Sequence, residues 1–137
     1  MKWRSDSGLS GNVVVVTGAA GGVGQELSRA LIDAGVTVVG VDRPGSGVNA
    51  FVTGLGDSTS CGLEVDLADV SAHSVIVEEA QERGSVVGLA HVAAVILRNE
   101  DFFSISEQEW DKQSEVNLKA TFFLNRTFAE YFIRQSI

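Results

Sequence analysis

The sequence predicts an α/β fold, a doubly wound parallel sheet with helices on its faces, from three observations. Residues 13–24 (VVVVTGAAGGVG) run from four consecutive valines into a glycine cluster and on into helix-forming residues. Short apolar stretches that end at an acid or a small residue recur at residues 37–41, 61–65 and 85–92. Segments with helical spacing or turn chemistry stand between them, and such strand–helix alternation implies parallel strands joined by crossover helices.

Residues 1–11 (MKWRSDSGLSG) are polar and are expected to fray, with Leu9 as their anchor. The four valines have neither helical period nor polar alternation. A β-branched run of this kind ending in glycine is a short strand buried on both faces. Residues 25–34 (QELSRALIDA) then set Leu27, Ala30, Leu31 and Ala34 on one face of a helix. The glycine turn between strand and helix aims unpaired N–H groups and a positive helix end at one point. That geometry suits a phosphate or pyrophosphate.

Residues 37–41 (TVVGV) form a second strand that ends at Asp42. An acid at that tip is placed to accept hydrogen bonds from the adenosine ribose of a dinucleotide. The glycines alone would describe an ordinary strand-to-helix turn; with Asp42 they become a dinucleotide-site signal. Residues 43–47 (RPGSG) are a loop by their proline and glycines. Residues 48–60 are expected to be a poor helix or an irregular connection, because Gly54 and Gly56 weaken a helix.

Residues 61–65 (CGLEV) form a third strand ending at Asp66. Asp69 or Ser71 caps a helix running to about Arg83, and Gly84 stops it. Residues 85–92 are the fourth strand. The strand tips are therefore Gly18, Asp42, Asp66 and Ala93, and the ligand crevice of an open parallel sheet lies outside such tips.

A long helix closes the chain. Ser106 and Glu109 form a capping box, with Ile105 and Trp110 as a hydrophobic staple. Ala120, Leu124, Phe128 and Phe132 make one apolar stripe, and Leu118, Phe122, Ala129 and Ile133 make its neighbour. That face is wider than one sheet contact requires. Two readings stay open: deep core, or a helix that packs on the sheet and also on a partner subunit.

The 137 residues carry a formal charge of −8 and no basic cluster, which argues against nucleic acid or an anionic membrane as partner. A single cysteine, Cys61, excludes an internal disulfide and is expected to pack as a small apolar side chain. Two histidines and one cysteine far apart offer no metal-ligand spacing, so no metal is expected. The longest apolar run, residues 86–97, contains His91 and is too short to span a bilayer. Residues 1–11 lack the apolar stretch of a signal peptide, so the expected location is cytoplasmic. His73 is expected to be a solvated helix residue and His91 a hydrogen-bonded core histidine near the cleft. Asp69 and Asp33 are expected as a helix cap and a solvated face.

With these pieces placed, the chain resembles the short-chain dehydrogenase/reductase family from about Leu9 to its C-terminus. Thr17-Gly18-Ala19-Ala20-Gly21-Gly22-Val23-Gly24 matches the family's TGxxxGxG, with Gly18, Gly22 and Gly24 in the glycine places. Gly21 with Gly24 also fits TGxxGxxG of the extended branch, while residues 110–123 lean toward the compact branch. Asp42 matches the acid that favours NAD over NADP. Arg43 beside it stacks on adenine, reaches a phosphate, or is a solvated loop charge. Asp66 and Leu67 resemble the family's adenine-contacting pair. Asn117, in the stretch from Glu109-Trp110-Asp111 to Asn117-Leu118-Lys119-Ala120, matches the asparagine of its catalytic Asn-Ser-Tyr-Lys set. Where the family has Asn-Asn-Ala-Gly, this chain has His91-Val92-Ala93-Ala94, with Ala93 the clear match.

The resemblance implies an incomplete Rossmann-type NAD(P)-binding domain over residues 1–137, with about four strands and the long C-terminal helix. It implies hydride transfer between a dinucleotide and an alcohol or carbonyl substrate; the wide apolar face of the long helix, on its partner-subunit reading, adds a homo-oligomer formed through that helix. The family's serine and Tyr-x-x-x-Lys pair have no counterpart here. Tyr131 is followed four residues later by Gln135 and shares a helix with Asn117. The expectation is the cofactor-binding portion of an oxidoreductase, truncated before its catalytic region and without turnover by itself. The alternative is a non-catalytic NAD-binding or interaction module that pairs through its open sheet edge. A methyltransferase-type nucleotide fold would leave Asn117 and its surroundings a coincidence.

Overall fold

The computed structural model of the chain describes residues 8–98 and 101–136. The frayed stretch expected at the N-terminus lies, for residues 1–7, outside the described residues; Leu9 is half-buried and packs against the core. Four strands, β1 (Val13–Thr17), β2 (Thr37–Asp42), β3 (Cys61–Glu64) and β4 (Val86–His91), form one parallel sheet in the order β3-β2-β1-β4. The chain steps outward from β1 through β2 to β3, then crosses back to lay β4 on the other side of β1. At such a reversal the connections diverge and open a crevice beyond the strand C-termini.

The valine run needs no polar alternation because both faces of β1 are covered. Val13 and Val15 belong to one core cluster, with Ile76, Val77 and Ala80 of α3 (His73–Arg83) and Leu124 and Phe128 of α5 (Thr121–Gln135). Val14 and Val16 belong to the other, with Leu27 and Leu31 of α1 (Gly22–Asp33) and Val48 and Val52 of α2 (Val48–Thr53). The result is three layers, with α1 and α2 on one face and α3 and α5 on the other.

Residues 48–60 are more ordered than the sequence suggests. Gly47, at φ 77°, turns the chain into the six-residue helix α2, and Gly54 closes it. This helix lies so near β3 that a Cβ at Gly62 would overlap the backbone of Asn49. The next connection follows expectation: the Asp69 carboxylate accepts the Ser71 N–H and caps a short 3-10 turn, Val70–Ala72, which leads into α3.

The long helix is a run of three pieces, α4 (Glu107–Ser114), a π-helical segment (Glu115–Ala120) and α5. Ser106 and Glu109 make both bonds of the capping box. The staple is not a buried contact, since Ile105 and Trp110 are 44% and 67% exposed. The two apolar stripes part company. Ala120, Leu124 and Phe128 are buried in the core with Phe132 against them, whereas Leu118, Phe122 and Ile133 are 72%, 62% and 77% exposed. The second stripe is therefore not core. Among the described residues no helix is long and apolar enough to cross a membrane.

Candidate functional site

Beyond the C-terminal ends of the strands lies a cavity of about 770 Å³. Gly18, Gly22, Val23, Gly24, Asp42, Arg43, Asp66, Leu67 and Ala93, all the cofactor positions named from the sequence, line it.

The glycine turn is built by close approach. Gly18 has φ 66°, and a Cβ there would stand 2.8 Å from both N and Cα of Ala93. A Cβ at Gly24 would overlap the Gly18 carbonyl oxygen, so the first turn of α1 rests directly on the backbone of the loop. A Cβ at Gly22 would instead meet nothing within 4 Å. Helix α1 begins at Gly21 with no side-chain cap and no acid in its first turn. Its leading N–H groups and the positive end of its dipole are thus left for a ligand. A cradle of bare backbone donors, closed to side chains at Gly18 and Gly24, fits a pyrophosphate.

Thr17 and Asp42 hold the turn from either side. The buried Thr17 Oγ1 accepts the N–H groups of Val92 at 3.1 Å and Ala93 at 3.2 Å, fastening the exit of β4 to the end of β1. Asp42 Oδ2 accepts the Ala20 N–H at 2.9 Å, and its Oδ1 accepts the Arg43 N–H at 2.8 Å. A carboxylate offers about four acceptor sites, so capacity remains for ribose hydroxyls. The Arg43 side chain is exposed beside the cavity.

The Asp66–Leu67 segment forms the next part of the wall. Asp66 is exposed and its Oδ1 accepts the Ala68 N–H at 3.0 Å, while the Leu67 side chain is 6% exposed and belongs to the core. Behind it stands His73, which is not the solvated residue expected. It is 1% exposed, with Nε2 at 2.8 Å from the Leu67 carbonyl oxygen. The turn between Asp66 and Ala72 folds the first residue of α3 inward.

His91 is half-buried, with Nε2 3.0 Å from Thr121 Oγ1. Thr121 donates its hydroxyl proton to the Asn117 carbonyl at 3.0 Å, so it accepts from His91, whose proton then sits on Nε2. Burial first, and the neighbouring charge of His73 second, push the His91 pKa below its ordinary value. This agrees with a core histidine. Cys61 also behaves as expected: burial, above all, pushes its thiol up to about 11, and its Sγ lies 3.6 Å from Glu79 Oε1.

Asn117 is not brought into the cavity. It sits on the π segment, and its carboxamide accepts from Val95 N and donates to Val95 O, both at 2.7 Å. A π segment widens the helix by one residue per turn and frequently marks a functional position. Here it carries the residue that fixes the cavity wall, since Val95 lines the cavity. Val95, Ile96, Lys112 and Val116 complete that wall and were not named from the sequence. Two signals were available: Val95 and Ile96 lie in the apolar run after β4, and Lys112 and Val116 are four residues apart on one helix face.

The parallel sheet, the bare glycine turn and the acid at the second strand tip define a Rossmann-type α/β protein of the nicotinamide-dinucleotide-binding class. The family model described as short chain dehydrogenase matches residues 12–137, and the chain belongs to that family. It is 35% identical over 129 residues to 2-dehydro-3-deoxy-D-gluconate 5-dehydrogenase of Dickeya dadantii, covering 93% of this chain and 50% of the relative. It is 27% identical over 128 residues to galactitol 2-dehydrogenase (L-tagatose-forming) of Cereibacter sphaeroides, with the same coverage of 93% and 50%. Among solved structures, 3-ketoacyl-(acyl-carrier-protein) reductase from Brucella melitensis complexed with NADH superposes with a TM-score of 0.84 at 25% identity. That match covers 90% of this chain and 51% of the other. The chain spans about half the length of the relatives it matches.

Proposed function

We propose that this chain is the cofactor-holding part of an oxidoreductase that moves a hydride between NAD and an alcohol or carbonyl substrate. One observation carries the reading: the glycine turn, Asp42 and the Asp66–Leu67 segment line a single cavity beyond the strand tips. In this reading the backbone N–H groups of Gly22, Val23 and Gly24 hold the pyrophosphate, and Asp42 accepts from the adenosine ribose. Asp66 and Leu67 hold the adenine, and Ala93 and Val95 wall the side toward the reacting ring. When bound, the nicotinamide supplies or accepts the hydride. Asp42 favours NAD over NADP, because its carboxylate repels a 2′-phosphate. Saturable binding of NADH to the purified chain, tighter than NADPH, is the expected result; failure of both to bind would remove the reading.

The family's proton-transferring tyrosine and its lysine partner are not among these residues, and Asn117 spends its side chain on Val95. These 137 residues alone therefore bind cofactor and orient it without turning over substrate. In the whole protein the substrate class is a small polyhydroxylated alcohol or its ketone, as the names of the sugar-acid and polyol relatives suggest. The exposed stripe Leu118, Phe122 and Ile133 supports a second element of the reading, a homo-oligomer formed through the long helix.

A further inference from the structure

We infer that His73 is a positioning residue for the adenosine end of the cofactor, acting through the Leu67 carbonyl; this rests on the NAD site proposed above. The sequence from Asp66 to Ala72 makes a tight excursion between β3 and α3. Its early part is tied to itself, with Ala68 N–H on Asp66 Oδ1 at 3.0 Å and Asp69 N–H on the Asp66 carbonyl at 3.0 Å. Its far end is tied by the Asp69 carboxylate, which accepts from Ser71 N–H at 3.0 Å and Ser71 Oγ at 2.6 Å. Both sets are local, and neither reaches the Leu67 carbonyl oxygen. The His73 ring supplies that tie, reaching back six residues to the Leu67 oxygen at 2.8 Å.

Two further observations separate this bond from ordinary packing. A carbonyl only accepts, so Nε2 carries a proton, and in the neutral ring Nδ1 is a bare acceptor. That Nδ1 is buried and has no hydrogen-bond partner. An apolar side chain of similar size would avoid the bare ring nitrogen but would leave the Leu67 carbonyl without this donor. What the histidine adds is the donor. The donor acts on the residue whose side chain is locked in the core while its backbone borders the cavity beside Asp66. Fixing that peptide sets where the Asp66 carboxylate and the neighbouring backbone meet an adenine. Preorganisation of this kind raises affinity by reducing what must be ordered on binding.

The test uses ADP-ribose, which carries the adenosine and both phosphates but no nicotinamide, titrated into the purified chain by calorimetry. Loss of one such hydrogen bond is expected to weaken ADP-ribose about tenfold in His73→Leu. His73→Gln, whose Nε2 donor occupies nearly the same place as that of histidine, is expected to bind within about twofold of the original chain. His73→Leu binding like the original, or His73→Gln falling with it, would overturn the inference. No binding of ADP-ribose by the original chain would overturn the NAD reading beneath it instead. A variant-independent measurement covers the case in which His73→Leu does not fold. Imidazole ¹⁵N resonances of the original chain should show the Nε2–H tautomer at His73 and should shift on saturation with ADP-ribose. The Nδ1–H tautomer, or resonances indifferent to ADP-ribose, would overturn it.

Discussion

The carboxylate of Asp42 accepts the backbone N–H of Ala20 at 2.9 Å, twenty-two residues earlier in the chain. One side chain thereby joins the tip of the second strand to the glycine turn that follows the first. In the proposed NAD reading, the group that accepts from the ribose also holds the glycine turn in shape. Asp42→Ala should therefore weaken NADH by more than a lost ribose contact. A charge-assisted hydrogen bond is worth about 1.5–3 kcal/mol, so a fall of about tenfold or more is expected, with the preference over NADPH largely erased. Asp42→Asn keeps an oxygen for Ala20 but loses the charge, so it should hold the turn and lose mainly the discrimination. Equal NADH affinity in Asp42→Ala and the original chain would take Asp42 out of the site.

The glycines of the turn have different jobs, and alanine substitutions separate them. At Gly24 a Cβ meets the Gly18 carbonyl and, at 2.7 Å, the Ala19 Cα; the obstacle is backbone and has no room to give. Gly24→Ala should lower the melting temperature sharply or abolish folding, overpacking of this type costing about 1–3 kcal/mol or more. At Gly22 a Cβ meets nothing, and the position opens a helix. Gly22→Ala should leave the melting temperature unchanged or raise it, since alanine is favoured over glycine in helices by about 1 kcal/mol. Its NADH affinity should still fall, because the methyl group narrows the approach to the cradle. Normal NADH binding by a stable Gly22→Ala protein would show that the pyrophosphate lies elsewhere.

These cases show why so much of the site was legible in the sequence. Gly18, Asp42 and Asp66 line the cavity because they stand at strand tips, and a tip is visible wherever an apolar β-branched run stops. What was illegible depended on contacts between distant segments. Nothing local marks His73 as buried: a polar residue at the start of a helix is ordinarily solvated, and here a turn of seven residues folds it inward. Helix α2 was obscured by Gly54 and Gly56, which weaken a helix in isolation. It is held by tertiary contact, with Asn49 seated where Gly62 leaves no side chain. The π segment under Asn117 has no sequence signature, and the carboxamide it carries pairs with Val95, twenty-two residues earlier in the chain.

That pairing makes its own prediction. Asn117→Ala removes both partners of the Val95 peptide at once, and the site is open enough for water to replace them in part. A stability loss of about 1 kcal/mol is expected, with faster hydrogen exchange at the Val95 amide. Asn117→Asp should do worse than its size suggests, because a second carboxylate oxygen would face the Val95 carbonyl where the amide now donates. An unchanged exchange rate at Val95 in Asn117→Ala would mean the carboxamide does not hold the wall.

Stability should also fall on mild acidification, through His91. Its folded-state pKa is pushed below the ordinary 6.5, chiefly by burial and secondarily by the charge of His73. As pH falls through 6.5 the unfolded chain takes up the proton before the folded one, so the folded state loses ground. The contribution is fully present above that pH and is lost as pH drops toward the depressed folded value. The effect is graded, since the ring is only half-buried. Denaturant midpoints at pH 7.5, 6.5 and 5.5 should decline in the original chain and decline less in His91→Gln, which keeps a donor for Thr121. Parallel slopes in the two proteins would exclude His91 as the source.

The last prediction concerns the stripe that the fold leaves bare. Leu118, Phe122 and Ile133 fall on one stripe of the long helix by their spacing, and each is more than half exposed. The stripe beside it, Ala120, Leu124 and Phe128, already satisfies the contact with α3 and the sheet. Sheet packing therefore does not account for the second row. If a second copy of the chain covers it, association should depend on these residues while folding should not. Phe122→Asp with Ile133→Asp is expected to give a monomer by light scattering, with a melting temperature no lower than that of a monomeric reference at equal dilution. Substitutions at exposed positions ordinarily change stability by about 0.5 kcal/mol or less, so a large loss of stability would mean the stripe is packed within the chain. A doubly substituted protein that still self-associates would move the interface to the open edge of β4.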